Sequence, residues 1–237
     1  MMPDFSKRST EQEWMDDLNS SGEVIDQTLR ELEIINRLLG GNEVTTNGLK
    51  KLIAGLKEKP KRLKIVDLGC GGGDMLIRIA KWGRKSRIDL ELIGIDANPH
   101  IVAYAERNTA KYPEISYKAW NIFGDKFNKL DYDVMVSTLF THHFTDEQLV
   151  TLFDQCCDKA KKGIVINDIH RHWFAYYSIK WLTTWFSKSD MVKNDAAVSV
   201  LRSFHREGLR KLFRNAPYRT LSIQWKWAFR WQLVVWK

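Results

Sequence analysis

Apolar residues in the first sixty positions fall three and four apart. Val24, Ile25, Leu29, Leu32, Ile35, Leu38 and Leu39 keep this interval. It predicts an amphipathic helix over 24–39, ended by Gly40 and Gly41. Thr45 or Thr46 is placed to cap a second helix reaching about Leu56, and Pro60 then breaks the chain. From residue 63 the spacing changes to short apolar runs separated by helical stretches. Strands are predicted at 63–68, 90–95, 115–119, 132–137 and 164–169. Helices are predicted at 74–82, 99–110 and 146–160, with Pro99 at a first helical turn. Strands alternating with helices imply right-handed crossovers and a mostly parallel sheet covered on both faces.

The end of the chain differs. Trp225, Trp227, Phe229, Trp231, Leu233 and Val235 alternate with other residues at period two. This predicts a strand with one apolar face, paired with a run at 218–223 in a terminal hairpin.

Composition narrows the class. The 237 residues are 44% apolar and 28% charged, as in ordinary globular proteins. Cys70, Cys156 and Cys157 make a poor disulfide framework, and the first residues lack the apolar core of a secretory signal. No apolar run approaches bilayer length. A cytoplasmic protein is expected, as a monomer or homodimer. The net charge of +8 is unevenly spread. Residues 1–36 hold nine acids and three bases, whereas residues 191–237 hold ten bases and two acids. A basic face favours nucleic acid, a membrane surface or an acidic substrate, or it simply solvates the protein.

The candidate chemistry centres on Asp67-Leu68-Gly69-Cys70-Gly71-Gly72-Gly73-Asp74, which leaves a predicted strand and enters a helix. Glycines there permit unusual backbone angles and close approach of a ligand. The dinucleotide fingerprint G-x-G-x-x-G fails, because its third glycine falls on Asp74 or Leu76. A phosphate-binding loop fails for want of Gly-Lys-Ser/Thr. The carboxylates of Asp67 and Asp74 would repel a pyrophosphate and attract an ammonium or sulfonium. Asp96 ends the next strand at the spacing of an acid that accepts from ribose hydroxyls.

The D-x-G-x-G-x-G run with Asp96 resembles motif I and its acidic successor in class I S-adenosylmethionine-dependent methyltransferases, over about 63–170. The chain is most similar to the small-molecule, ubiquinone/menaquinone-biosynthesis type. The resemblance implies a Rossmann-like, seven-stranded, mostly parallel sheet with helices on both faces, an antiparallel terminal hairpin strand and an N-terminal helical cap. It implies S-adenosylmethionine as cofactor. Asp67, Gly69, Gly71 and Gly73 would surround its methionine part, Asp96 would hold the ribose, and Ala97 would lie beside the adenine. Asn121 stands where the family commonly has aspartate, and its carbonyl can also accept from the adenine amino group. Ile122 or Trp120 would flank the base, and Thr138 would lie near the methionyl end.

Methyl transfer needs the protein to position a nucleophile and exclude water, with a base where the acceptor is an oxygen or carbon acid. His142 and His143 follow the fourth strand at the carboxyl edge, where open α/β sheets bind ligands. They resemble a His-His pair at the same place in the small-molecule family and are the catalytic candidates. Asp168 and His170 end the fifth strand and are candidate substrate contacts. With His172 they make no convincing metal set, so no metal is expected.

Trp173, Tyr177, Trp181 and Trp185 recur every four residues, with Phe174, Leu182 and Phe186 beside them. This predicts a helix with a broad aromatic face. It would pack in the core, cover an apolar substrate through Trp173 and Tyr177, or touch a membrane peripherally. Its place after the fifth strand favours the lid, because family members commonly build acceptor pockets there. Residues 1–60 would then form a helical cap and 61–237 the methyltransferase domain, with an aromatic insertion at about 171–200. The expected reaction is methylation of oxygen or carbon on a lipophilic small molecule: quinone-like, phenolic or polyketide. An RNA methyltransferase using the basic C-terminal segment is a rival. The amino-methylating motif is missing from Ser137-Thr138-Leu139-Phe140, which disfavours nucleic acid. A non-catalytic binding protein is a second rival, disfavoured by the intact glycine run.

Overall fold

A computed structural model describes residues 3–58 and 60–237. Two N-terminal helices, α1 (Glu23–Leu38) and α2 (Gly41–Ala54), precede an alternating region. That region runs β1 (Arg62–Leu68), α3 (Asp74–Ser86), β2 (Asp89–Asp96), α4 (Pro99–Thr109), β3 (Ile115–Ala119), α5 (Asp125–Asn128), β4 (Val134–Thr138), α6 (Asp146–Lys159) and β5 (Gly163–Ile169). The chain ends with α7 (Trp173–Phe186), α8 (Asp190–Arg202), α9 (Arg206–Leu212), β6 (Thr220–Lys226) and β7 (Arg230–Trp236). The strands form one seven-stranded sheet in the order β3-β2-β1-β4-β5-β7-β6. Strands β1 to β5 pair in parallel, and β7 runs antiparallel to both β5 and β6.

The apolar runs become central strands because both faces of the sheet are covered. On one face Val66, Leu68, Ile93, Met135, Ile164 and Leu233 pack with Leu149, Phe153 and Cys156 of α6 and Leu209 of α9. On the other, Ile65, Leu92, Val134, Val136, Val165 and Val234 pack with Leu49 and Leu52 of α2 and with Leu76 and Ile79 of α3. The chain reverses its winding at β1, which has β2 on one side and β4 on the other. A crevice opens outside the carboxyl ends of strands at such a reversal. The three cysteines are buried and free.

Two local expectations are corrected. Helix α2 begins at Gly41, after Gly40 turns through the left-handed region at φ 68°, so Thr45 and Thr46 lie inside it and cap nothing. Thr45 instead meets Thr138 with hydroxyl oxygens 2.7 Å apart and accepts from Asn167 Nδ2. The run from Trp225 to Val235 is two strands and a turn, with Trp225 opposite Trp231 and Ile223 opposite Leu233. Opposed residues of an antiparallel pair share a sheet face. A period-two pattern therefore continues unbroken around a hairpin folded at residue 228. Trp227, at the tip, is 69% exposed.

Candidate active site

A cavity of about 1150 Å³ opens at the winding reversal. Asp67, Gly69, Gly71, Asp96, Ala97, Asn121, Ile122 and Thr138 all line it. Gly73 does not. It caps α3 at φ 79°, and a Cβ there would meet the Tyr117 hydroxyl at 2.2 Å. Gly71 is different: at φ 49° its Cβ position faces open space, with Leu29 Cδ2 at 3.8 Å as the nearest atom. Gly71 is thus the glycine left open to the cavity, whereas Gly73 serves backbone geometry.

Three carboxyl groups gather around this loop. Burial pushes Asp67 well above the usual carboxylate range, and the charges of Asp74 and Asp96 add to the effect. Asp96 is also raised by burial, although backbone N–H groups of Asn98 and Gly71 oppose it. Asp67 Oδ1 is buried without a hydrogen-bond partner. Among the described residues none of the three forms a salt bridge. An acidic, under-satisfied pocket over an open glycine suits a cationic ligand bearing hydroxyl groups. Asn121 spends part of its acceptor capacity locally, because its Oδ1 accepts from Phe123 N at 2.9 Å.

His142 and His143 lie in a single 3₁₀ turn (Thr141–His143) after β4, with ring centroids 4.4 Å apart. Both line the cavity. The His142 ring is buried, and its Nδ1 lies 2.7 Å from Asp168 Oδ1. Asp168 also accepts from Thr141 Oγ1 at 2.5 Å and from the backbone N–H groups of His142 and Ile169. Burial alone would raise its carboxyl. The His142 charge and hydrogen bond, then Thr141, hold it down at about 2. Asp168 is fully buried behind His142 and does not line the cavity, so in place of the expected substrate contact it contacts the His142 ring. In the neutral ring, Nδ1 donating to Asp168 leaves the lone pair on Nε2.

Groups far away in sequence complete the cluster. A 3₁₀ turn at Trp14–Asp16 is pinned by Asp195, whose carboxylate accepts from Trp14 N and Met15 N. This brings Glu13 Oε1 to 3.5 Å from His142 Nε2, while Asp16 Oδ1 lies 2.5 Å from His143 Nδ1. Burial pushes Glu13 up to about 7, against the lowering influence of His143, Ser199 and Arg202. Burial would raise Asp16 too, but hydrogen bonds and charge from His143 and Arg202 take it far below its ordinary value. Arg202 donates to Asp16 at 2.6 Å and to the carbonyls of His142 and His143. Arg8 donates to the carbonyls of His142 and Phe144. Glu13, His142 and His143 also bring three potential metal-ligand atoms within 4.8 Å. Arg202 Nε lies 3.9 Å from the same Glu13 oxygen and already supplies positive charge there.

The remaining candidates move. His170 is half-buried among His172, His205, Phe229 and Trp231, and burial lowers it to about 4. It does not line the cavity. Trp173 and Tyr177 point outward, 56% and 46% exposed. The cavity side of α7 is instead Phe174, Ala175, Ser178, Ile179 and Leu182. A helix turns about 100° per residue, so a row at i, i+4 shows its neighbouring row to the opposite partner. Arg230, at the start of β7, is a cavity residue that sequence inspection passes over. It is buried, its Nη2 donates to Asn36 at 3.1 Å, and its Nη1 has no partner. Burial lowers it to about 10 even with the Asp168 charge nearby. Glu13 and Asp16 left one signal in the sequence, the acid excess of residues 1–36.

Residues 65–163 match the family model for a methyltransferase domain. No curated protein matches the sequence of this chain. Among solved structures, a SAM-dependent methyltransferase from Aquifex aeolicus aligns with TM-score 0.60 at 16% identity, over 87% of this chain and 95% of that one. The plantazolicin methyltransferase BpumL, in complex with a triazolic desmethylPZN analog and SAH, aligns with TM-score 0.63 at 16% identity, over 91% and 90%. The citrinin polyketide synthase CMeT domain aligns with TM-score 0.59 at 12% identity over 79% of this chain, which spans 50% of that chain's length. At these identities the likeness is one of fold.

Proposed function

We propose that this class I S-adenosylmethionine-dependent methyltransferase methylates an oxygen or carbon of a lipophilic aromatic small molecule, such as a quinone-like, phenolic or polyketide product. The observation that carries this reading is His142, backed by buried Asp168 and lining a cavity walled by Phe140, Phe144, Phe174, Ile179 and Leu182. The cofactor fits the acidic end of the cavity. Asp67, Gly69 and Gly71 would hold its methionine part near Thr138. Asp96 would hold the ribose, and Ala97, Asn121 and Ile122 the adenine. When bound, it supplies an electrophilic sulfonium methyl.

His142 Nε2 removes the proton from the acceptor hydroxyl or carbon acid. Asp168 fixes the ring tautomer and stabilises the imidazolium that forms, the role of the carboxylate in hydrolase triads. Glu13, raised to about 7, is matched to take up the proton next. Arg230 is placed to hold negative charge on the acceptor oxygen through Nη1. Residues 1–60 act as a cap that contributes Glu13 and Asp16. The methyltransferase domain is 61–237, and its insertion at about 171–200 builds the acceptor wall. Free cysteines fit a cytoplasmic protein, working as a monomer or homodimer, with membrane contact suiting a lipophilic acceptor. RNA methylation is disfavoured because Arg202 and Arg230, two of the ten bases in 191–237, are buried inside the site.

Methyl-labelled cofactor incubated with extract fractions tests the assignment. Label in the organic-soluble small-molecule pool, lost in His142→Gln, is the expected result. Label confined to RNA or protein refutes it.

A further inference from the structure

Helix α7 has two working faces. The inner one lines the cavity through Ala175, Ile179 and Leu182. The outer one carries five aromatic side chains on a 14-residue helix, all at least 46% exposed: Trp173, Tyr177, Trp181, Trp185 and Phe186, with Phe174 at the edge shared with the cavity. The hairpin tip extends this surface. Phe229 lies 5.8 Å from the Phe174 ring and 6.1 Å from Trp225, and Trp227 projects beyond them, 69% exposed. Soluble monomers rarely leave so much contiguous apolar surface in water.

The residue types point to the occupant. Trp and Tyr rings concentrate where acyl chains meet headgroups, because one edge is apolar and the other polar. Lys180 is exposed on α7 and Lys188 in the loop just after it, and the α7 sequence WFAYYSIKWLTTWF contains no Asp or Glu. Of the acids at its end, Glu31 is occupied by Ser187 Oγ and the backbone N–H groups of Lys188 and Ser189, and Asp190 is paired with Lys193 at 2.9 Å. Protein interfaces enrich aromatic residues but deplete lysine, whereas an anionic lipid surface attracts both. No described helix is long and apolar enough to cross a membrane. At about 1.5 Å per residue, α7 is also shorter than a hydrocarbon core.

We propose that the outer face of α7 and the Trp225–Trp227 tip seat the protein on anionic phospholipid bilayers, with α7 lying in the headgroup plane. The cavity then stands one helix away from the lipid. An apolar acceptor dissolved in the bilayer reaches the site around α7 and the tip without crossing water. That consequence rests on the proposed lipophilic acceptor, whereas the seating itself does not.

The test is co-sedimentation of the full chain with vesicles of phosphatidylcholine mixed with phosphatidylglycerol, against vesicles of phosphatidylcholine alone. Binding is expected to the mixed vesicles, with a blue shift of tryptophan emission and quenching by brominated lipid. Trp181→Ala/Trp185→Ala should weaken it about tenfold or more. Lys180→Gln and Lys188→Gln should each weaken it about fivefold. Cofactor binding and melting temperature should stay at wild-type values in all of these variants, which separates lost seating from lost folding. Failure to bind mixed vesicles overturns the proposal. So does a dimer in sedimentation analysis that the tryptophan variant dissociates, which assigns the surface to a second copy. Equal binding to both vesicle types overturns the role of the lysines and of anionic lipid. Vesicle binding with no labelled lipophilic product would leave the seating standing and remove the acceptor assignment.

Discussion

His142 Nδ1 and Asp168 Oδ1 meet 2.7 Å apart at the ends of neighbouring strands, both side chains shut away from bulk water. A buried carboxylate in that position lets the imidazole gain a proton at Nε2 without leaving a bare charge inside the protein. Asp168→Asn keeps the shape and removes the charge. We expect methyl transfer to fall by about 10²-fold or more, with the cofactor dissociation constant unchanged. His142→Gln should lose a similar factor, and the double variant little more, since the two act as a unit. Single-turnover label transfer and calorimetric cofactor titration check both halves.

Glu13 gives a stability signature of definite sign. Its carboxyl sits near 4.5 in the unfolded chain and at about 7 when folded, with burial as the main cause. Between those values the folded state binds more protons, so stability falls as pH rises through this window. At 1.36 kcal/mol per unit, the loss amounts to about 3 kcal/mol at most. Glu13→Gln should flatten the window and melt higher than wild type at pH 8. Asp168 acts at the other end. Held at about 2, it contributes stability that is present above 3.8 and lost as pH falls through about 2. Thermal melts across pH, with and without each substitution, separate the two.

Gly69 and Gly71 should fail differently when changed to alanine. A Cβ on Gly69 would fall 2.1 Å from the Phe140 ring, so Gly69→Ala must displace the wall behind the histidines and destabilise the fold by about 2 kcal/mol or more. Gly71→Ala meets open space and carries only the strain of its positive φ, about 1 kcal/mol. It should fold, melt slightly lower and bind cofactor more weakly. Asp96→Asn should fold well and lose roughly tenfold in cofactor affinity.

Arg230 presents the opposite balance. A buried guanidinium with an unpartnered Nη1 destabilises the empty protein. Arg230→Met should raise stability by about 1 kcal/mol or more while lowering turnover of the acceptor. A variant that melts lower and turns over normally would show the arginine to be a packing element.

What the sequence made legible was local. Asp67 through Asp96 lie within thirty residues, and the run of glycines, which take positive φ at 69, 71 and 73, marks the loop directly. The rest of the site depends on contacts that no window contains. Glu13 meets Ser199, and Asp16 meets Arg202, each 186 residues away. Before folding, these are ordinary surface-type residues. The aromatic row failed for a different reason: spacing shows which residues share a face of α7, but only packing against α8 and the hairpin decides which face is wet. Trp225 and Trp231 failed by parity, since a straight strand and a hairpin turned at residue 228 carry the same alternation.

The position of β7 has a consequence for truncation. The seventh strand in chain order is an interior one, bonded on one side to β5 and on the other to β6. Without residues 230–236, β5 keeps an unpaired edge, Arg230 is absent from the cavity wall, and β6 has no neighbour. A chain cut before residue 230 would therefore lack an interior plank of its sheet. Residues 230–236 thus complete the fold and the site together.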